Sequence, residues 1–116
     1  MIVSIWHNPR CSKSREALAL LEARGVSPKI VRYLETPPSA KEIKAAARLL
    51  GFSSVRELIR VKDADYATLR LADPKLSEDA LAQALHETPA LIERPVVFAR
   101  GKAAIGRPPE AILEII

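Results

Sequence analysis

Apolar residues fall into short blocks whose spacing changes along the chain. Ile2–Trp6 is apolar, rich in strand formers, and stops at His7-Asn8-Pro9, a turn signal. Ser12–Arg24 switches to helical spacing: Ala17, Leu20, Leu21 and Arg24 share a face, and Gly25 follows as a C-terminal stop. Lys29–Leu34 reads as a second strand. Strand, helix and strand in this order predict a right-handed parallel crossover.

The middle of the chain reads as helical. Ser39 with Glu42 forms a capping box before Ile43, Ala46, Ala47 and Leu50, and Ser54 with Glu57 repeats it before Leu58 and Ile59. A third helix starts at Ser77, with Leu76 and Leu81 at the positions of a hydrophobic staple and Glu78 and Asp79 in the first turn. His86, late in that helix, is placed to meet its C-terminal carbonyls.

Sheet then returns. Val96–Ala99 and Lys102–Ile105 flank Arg100-Gly101, which predicts a tight hairpin. Gly106-Arg107-Pro108-Pro109 leads into a short closing helix. The order is a βαβ unit, a helical insertion over about 37–90, then ββα. It predicts an α/β, thioredoxin-like domain over 1–116, with a mixed four-stranded sheet flanked by helices.

Length and composition narrow the chemistry. The 116 residues, 48% of them apolar, suffice for one domain with its own core. A single cysteine cannot close an intramolecular disulfide, so a disulfide-stapled secreted framework is excluded and a reducing compartment is expected. The N-terminal residues lack the basic and long apolar regions of a secretory leader, and no apolar run is long enough to span a membrane. The expected location is cytoplasmic. Eighteen basic and 14 acidic residues leave a net charge of +4, with the signs interleaved. Aromatics are only 4%, too few for base-stacking platforms, so no nucleic acid partner is expected. A basic chain can still serve a small anion if its arginines converge.

Cys11 stands between the first strand and the first helix. A helix N-terminus favours a thiolate, and Arg10, Lys13 and Arg15 add positive charge nearby in sequence. That polar, basic loop suits a reactive cysteine better than a buried structural one. His7 is either a second support for the anion or a turn residue. Ser14 either bonds the thiolate or is a first-turn helix serine, and Asn8 alone reads as a loop former. Cys11-Ser12-Lys13-Ser14 is Cys-x-x-Ser, so an oxidised Cys11 has no internal partner and needs an outside thiol. Pro95 precedes the third predicted strand, where thioredoxin-like folds keep a cis-proline beside the reactive cysteine. One cysteine and two distant histidines show no metal-ligand spacing, and no bound cofactor is expected.

Five blocks in order carry a wider resemblance: His7-Asn8-Pro9-x-Cys11-x-x-Ser14-Arg15, Tyr33-Leu34-Glu35-Thr36-Pro37-Pro38, Leu58-Ile59-Arg60, Ile92-Glu93-Arg94-Pro95-Val96 and Gly106-Arg107-Pro108. Together the chain resembles the glutaredoxin-dependent arsenate reductases over nearly its whole length. The resemblance implies a catalytic cysteine and three arginines, which fall on Cys11, Arg60, Arg94 and Arg107, with His7, Asn8, Ser14, Arg15 and Pro95 in support. It implies a thiolate that attacks arsenate and forms an arsenic–sulfur adduct. Glutathione, as co-substrate, and glutaredoxin then complete reduction to arsenite. Guanidinium forks suit a tetrahedral dianion.

The same order of elements also fits a thioredoxin-fold regulator of RNA polymerase or a thiol oxidoreductase with another substrate. The regulators often sense oxidants through Cys-x-x-Cys, which Ser14 removes. A phosphatase loop needs Cys-x5-Arg, and Ala17 occupies that arginine position.

Overall fold

The computed structural model describes residues 2–116. The chain divides into two compact units, one built from the chain up to Thr36 and Arg94–Ile116, the other from Pro37–Glu93.

In the first unit, β1 (Val3–Trp6) alternates its side chains across the sheet. Val3 and Ile5 face one way, opposite Ala99 and Val97 of β3 (Val96–Ala99). These four residues pack against Ala17 and Leu21 of α1 (Ser12–Ala23) and against Ile112 and Ile115 at the chain's end. β2 (Lys29–Val31) runs parallel to β1, and β4 (Lys102–Ile105) runs antiparallel to β3. The strand order β2-β1-β3-β4 gives the expected mixed, thioredoxin-like sheet. On the other face of β1, Trp6 meets Phe98 with ring centroids 5.0 Å apart.

Several local expectations hold and several shift. Arg100 and Gly101 both take positive φ, 54° and 71°, between the paired residues Ala99 and Lys102. That is the two-residue hairpin whose twist matches its strands. Gly25 ends α1 in the left-handed region, at φ 75°. The buried stripe of α1 is Ser14, Ala17 and Leu21, while Arg24 is exposed. β2 is shorter than the expected 29–34. Its partner β1 ends at Trp6, the His7 N–H still reaches the Val31 carbonyl at 2.8 Å, and the chain then turns, with the Arg32 carbonyl accepting from Glu35 and Thr36. The closing helix is 3-10, over Pro109–Glu114.

The second unit is helical. α2 (Ala40–Leu49) carries the full Ser39/Glu42 capping box and buries Ile43, Ala46 and Ala47. The Ser54/Glu57 box also forms, but it opens a 3-10 turn, Val55–Leu58, rather than an α-helix. A short α3 (Ala64–Thr68), which the hydrophobic pattern does not predict, is capped by Asp63 and buries nothing. α4 (Glu78–Glu87) is capped by Ser77, and a further 3-10 turn covers Pro89–Leu91. Glu78 does more than face the helix dipole. Its carboxylate accepts from the Val55 N–H and the Ser54 hydroxyl, both at 2.7 Å, and these bonds hold it below the usual carboxylate range. His86 meets the Pro38 carbonyl at 2.9 Å rather than the last carbonyls of its own helix. Among the described residues no helix is long and apolar enough to cross a membrane.

Candidate active site

The loop from β1 to α1 is tied to itself before it reaches the helix. The Asn8 side-chain oxygen accepts from the Arg10 N–H at 3.0 Å, and the Asn8 carbonyl accepts from the Cys11 N–H at 3.0 Å. This gives Asn8 the loop-forming role its residue type favours. Cys11 is then the N-cap of α1, with extended backbone, and its carbonyl receives the Arg15 N–H. Its thiol is part-exposed and free.

Opposing effects set the state of that thiol. Burial pushes its pKa up, but the backbone N–H groups of Ser14 and Lys13 and the Arg94 guanidinium act the other way and win, holding the thiol below its ordinary value. The N–H contributions are those of a helix N-terminus aimed at an anion.

Ser14, His7 and Asn8 form a buried polar knot beside the loop. The Ser14 hydroxyl oxygen accepts from the Asn8 N–H at 3.0 Å and lies 2.6 Å from His7 Nδ1. The hydroxyl can donate to an unprotonated Nδ1 or accept from a protonated one, and either way it ties His7 to the start of α1. Burial first, and then the charges of Arg32 and Arg15, hold the pKa of His7 below the usual imidazole value. Of the two roles open to Ser14, its backbone N–H acts on Cys11 while its side chain holds the loop, and the lowered pKa of His7 disfavours a positive charge beside the thiolate. Arg15 donates to the Pro9 carbonyl at 2.9 Å, so it also secures the loop.

Two further segments of this unit reach the cysteine. The Arg94–Pro95 bond is cis, as its place before β3 predicts, and Arg107–Pro108 is a second cis bond that the sequence did not announce. Arg107 Nε donates to the Arg94 carbonyl at 2.7 Å, and its terminal nitrogen lies 3.7 Å from Cys11 Sγ. Gly106 makes this approach possible. Its N–H bonds the Pro95 carbonyl at 2.9 Å, and a Cβ there would lie 2.8 Å from Pro95 Cγ and 3.2 Å from Ala17 Cβ. Only glycine fits between that proline and α1.

Cys11, Arg94 and Arg107 thus come together from segments far apart in sequence. Arg60 belongs to the helical unit. It follows the 3-10 turn there, is half-buried, and its N–H is donated to the Leu91 carbonyl at 2.7 Å. Two features went unnoticed in the sequence: the steric role of Gly106, and Tyr33, fully buried two residues beyond β2. The family block containing Tyr33 carried a signal for it, since the ends of parallel strands are where sites form.

The ArsC family model matches residues 6–115. The chain belongs to the ArsC family. ArsC relatives include the Escherichia coli K12 protein named uncharacterized protein YfgD, 56% identical over 114 residues, covering 98% of this chain and 96% of that one. An arsenate reductase of Neisseria meningitidis serogroup B is 52% identical over 98% of this chain and 97% of its own. The solved arsenate reductase of Vibrio cholerae superposes with a TM-score of 0.97 at 52% identity, covering 100% of this chain and 98% of that one. The thioredoxin-like ArsC fold read from the order of strands is therefore that of its structural relatives.

Proposed function

We propose that this protein reduces arsenate to arsenite, with Cys11 as nucleophile. The observation that carries the reading is the convergence of Arg94 and Arg107 on a cysteine whose pKa is held down. A thiolate attacks, and forked cations hold a tetrahedral oxyanion and offset the charge that builds on it. ArsC relatives named arsenate reductases at about half identity support the choice of substrate.

In the first step the Cys11 sulfur displaces one arsenate oxygen, which leaves as water after taking up two protons, and an arsenic(V)–sulfur bond forms. Glutathione then takes a second place on arsenic and releases another water. A glutaredoxin thiolate attacks the glutathione sulfur. The electron pair of the glutathione–arsenic bond passes to arsenic, which falls to the trivalent state, and hydrolysis of the remaining bond frees arsenite and Cys11. The single cysteine requires such outside thiols. In this reading Arg60 is the third arginine, on the strength of its sequence block, and the protein works in the cytoplasm.

The test is arsenite formation by purified protein supplied with arsenate, glutathione and glutaredoxin. Turnover that needs all three is expected. Turnover sustained by a non-thiol donor alone, or none with the full mixture, contradicts the reading.

A further inference from the structure

Tyr33 is placed at the end of the sheet where Cys11 stands. Val31, the last residue of β2, pairs with Trp6, and the next N–H along, that of His7, bonds the Val31 carbonyl. The loop after β1 and the turn after β2 therefore leave the sheet side by side. Tyr33 lies in that turn, wholly buried.

Its hydroxyl is buried without a hydrogen-bond partner, and so is Arg94 Nε. Asn8 and Arg94 come near enough to the phenol to act on it as polar neighbours, and Cys11 acts on it through charge, but no bond to the hydroxyl reaches hydrogen-bond geometry. Buried polar groups are almost always bonded, and two orphaned ones at a single spot need an explanation. The Arg94 Nε–H is a donor. The phenol, pushed up to about 12 by burial before any other influence, keeps its proton and is a donor as well. Two donors beside a nucleophile call for an acceptor with more than one oxygen.

We propose that Tyr33 is a substrate-binding residue, its hydroxyl donating a hydrogen bond to an oxygen of the tetrahedral oxyanion held at Cys11 and Arg94. This rests on the reading of the Cys11 site as an oxyanion site. The phenol adds what the arginines lack, a donor without charge. It strengthens the hold on the anion without adding to the repulsion among cations when the site is empty.

Inorganic phosphate, a tetrahedral anion that the thiols do not reduce, is the probe. Its protection of Cys11 against iodoacetamide is read by intact mass, which is unambiguous with one cysteine. Tyr33→Phe should weaken that protection about tenfold or more, as expected for a hydrogen bond to a charged group. Its melting temperature should not fall, because no well-formed hydrogen bond to the hydroxyl is lost. Equal protection in Tyr33→Phe and wild type, with Arg94→Lys impaired, overturns the proposal and leaves the oxyanion reading standing. A lower melting temperature with unchanged protection assigns the hydroxyl a structural role and also overturns it. No protection of wild type by either phosphate or arsenate overturns the oxyanion reading and the proposal with it.

Discussion

The two units use their polar side chains in opposite ways. In Pro37–Glu93, Ser39, Ser54, Asp63 and Ser77 cap helices and turns at the surface, and Lys44 pairs with Asp79 in the open. In the sheet unit, His7, Asn8 and Ser14 are buried around one loop, and the Tyr33 hydroxyl and Arg94 Nε are buried without partners. Surface caps satisfy nearby backbone groups and stabilise the chain directly. Buried groups left unbonded cost stability, so their retention at one end of the sheet marks the place where the unit carries chemistry.

The sharpest break of this comparison is Cys11→Ser. It should abolish arsenite formation and leave thermal unfolding nearly unchanged, because Cys11 is only part-buried and the substitution is nearly isosteric. Next comes Arg94→Ala, expected to lower kcat/KM about a hundredfold or more, the usual cost of losing one preorganised donor to a developing oxyanion. Arg94→Lys keeps the charge and loses the fork, so it should recover only part of the activity. Arg60→Ala asks whether the helical unit also serves the reaction. Slower arsenate reduction is expected, and unchanged turnover would confine the chemistry to the sheet unit.

How far these residues could be read from the chain follows the same division. The hairpin at Arg100-Gly101 and the capping box at Ser39 depend on neighbours within a few residues, and both form as the sequence predicts. The short α3 has no apolar stripe to announce it. β2 stops early because its partner strand ends, which no property of Arg32–Leu34 encodes. In the site, Cys11 was legible from its place ahead of a helix. The lowered pKa of His7 was not, because it depends on burial and on Arg32, 25 residues away in sequence. Gly106 reads as an ordinary loop glycine until Pro95 and Ala17 are seen on either side of it.

Gly106→Ala tests that packing with a smaller expected effect. The added methyl must displace Pro95 or α1, a cost of about 1–3 kcal/mol for overpacking, seen as a lower unfolding midpoint in denaturant. Arsenate reduction should fall as well, since Arg94 adjoins the displaced proline. Ser39→Ala is the control from the other unit. It should cost about 1 kcal/mol of stability and leave arsenate reduction unchanged.

The central claim is that the sheet unit holds the Cys11 pKa down by helix N–H groups and Arg94 against the cost of burial. It is tested most directly by the pH dependence of Cys11 alkylation in wild type and in Arg94→Ala. The depressed pKa places the wild-type midpoint below the ordinary value of a free thiol. Loss of the guanidinium removes a stabiliser of the anion, so the midpoint should move up in the variant. A wild-type midpoint at or above the free-thiol value, with no shift in Arg94→Ala, would contradict the account.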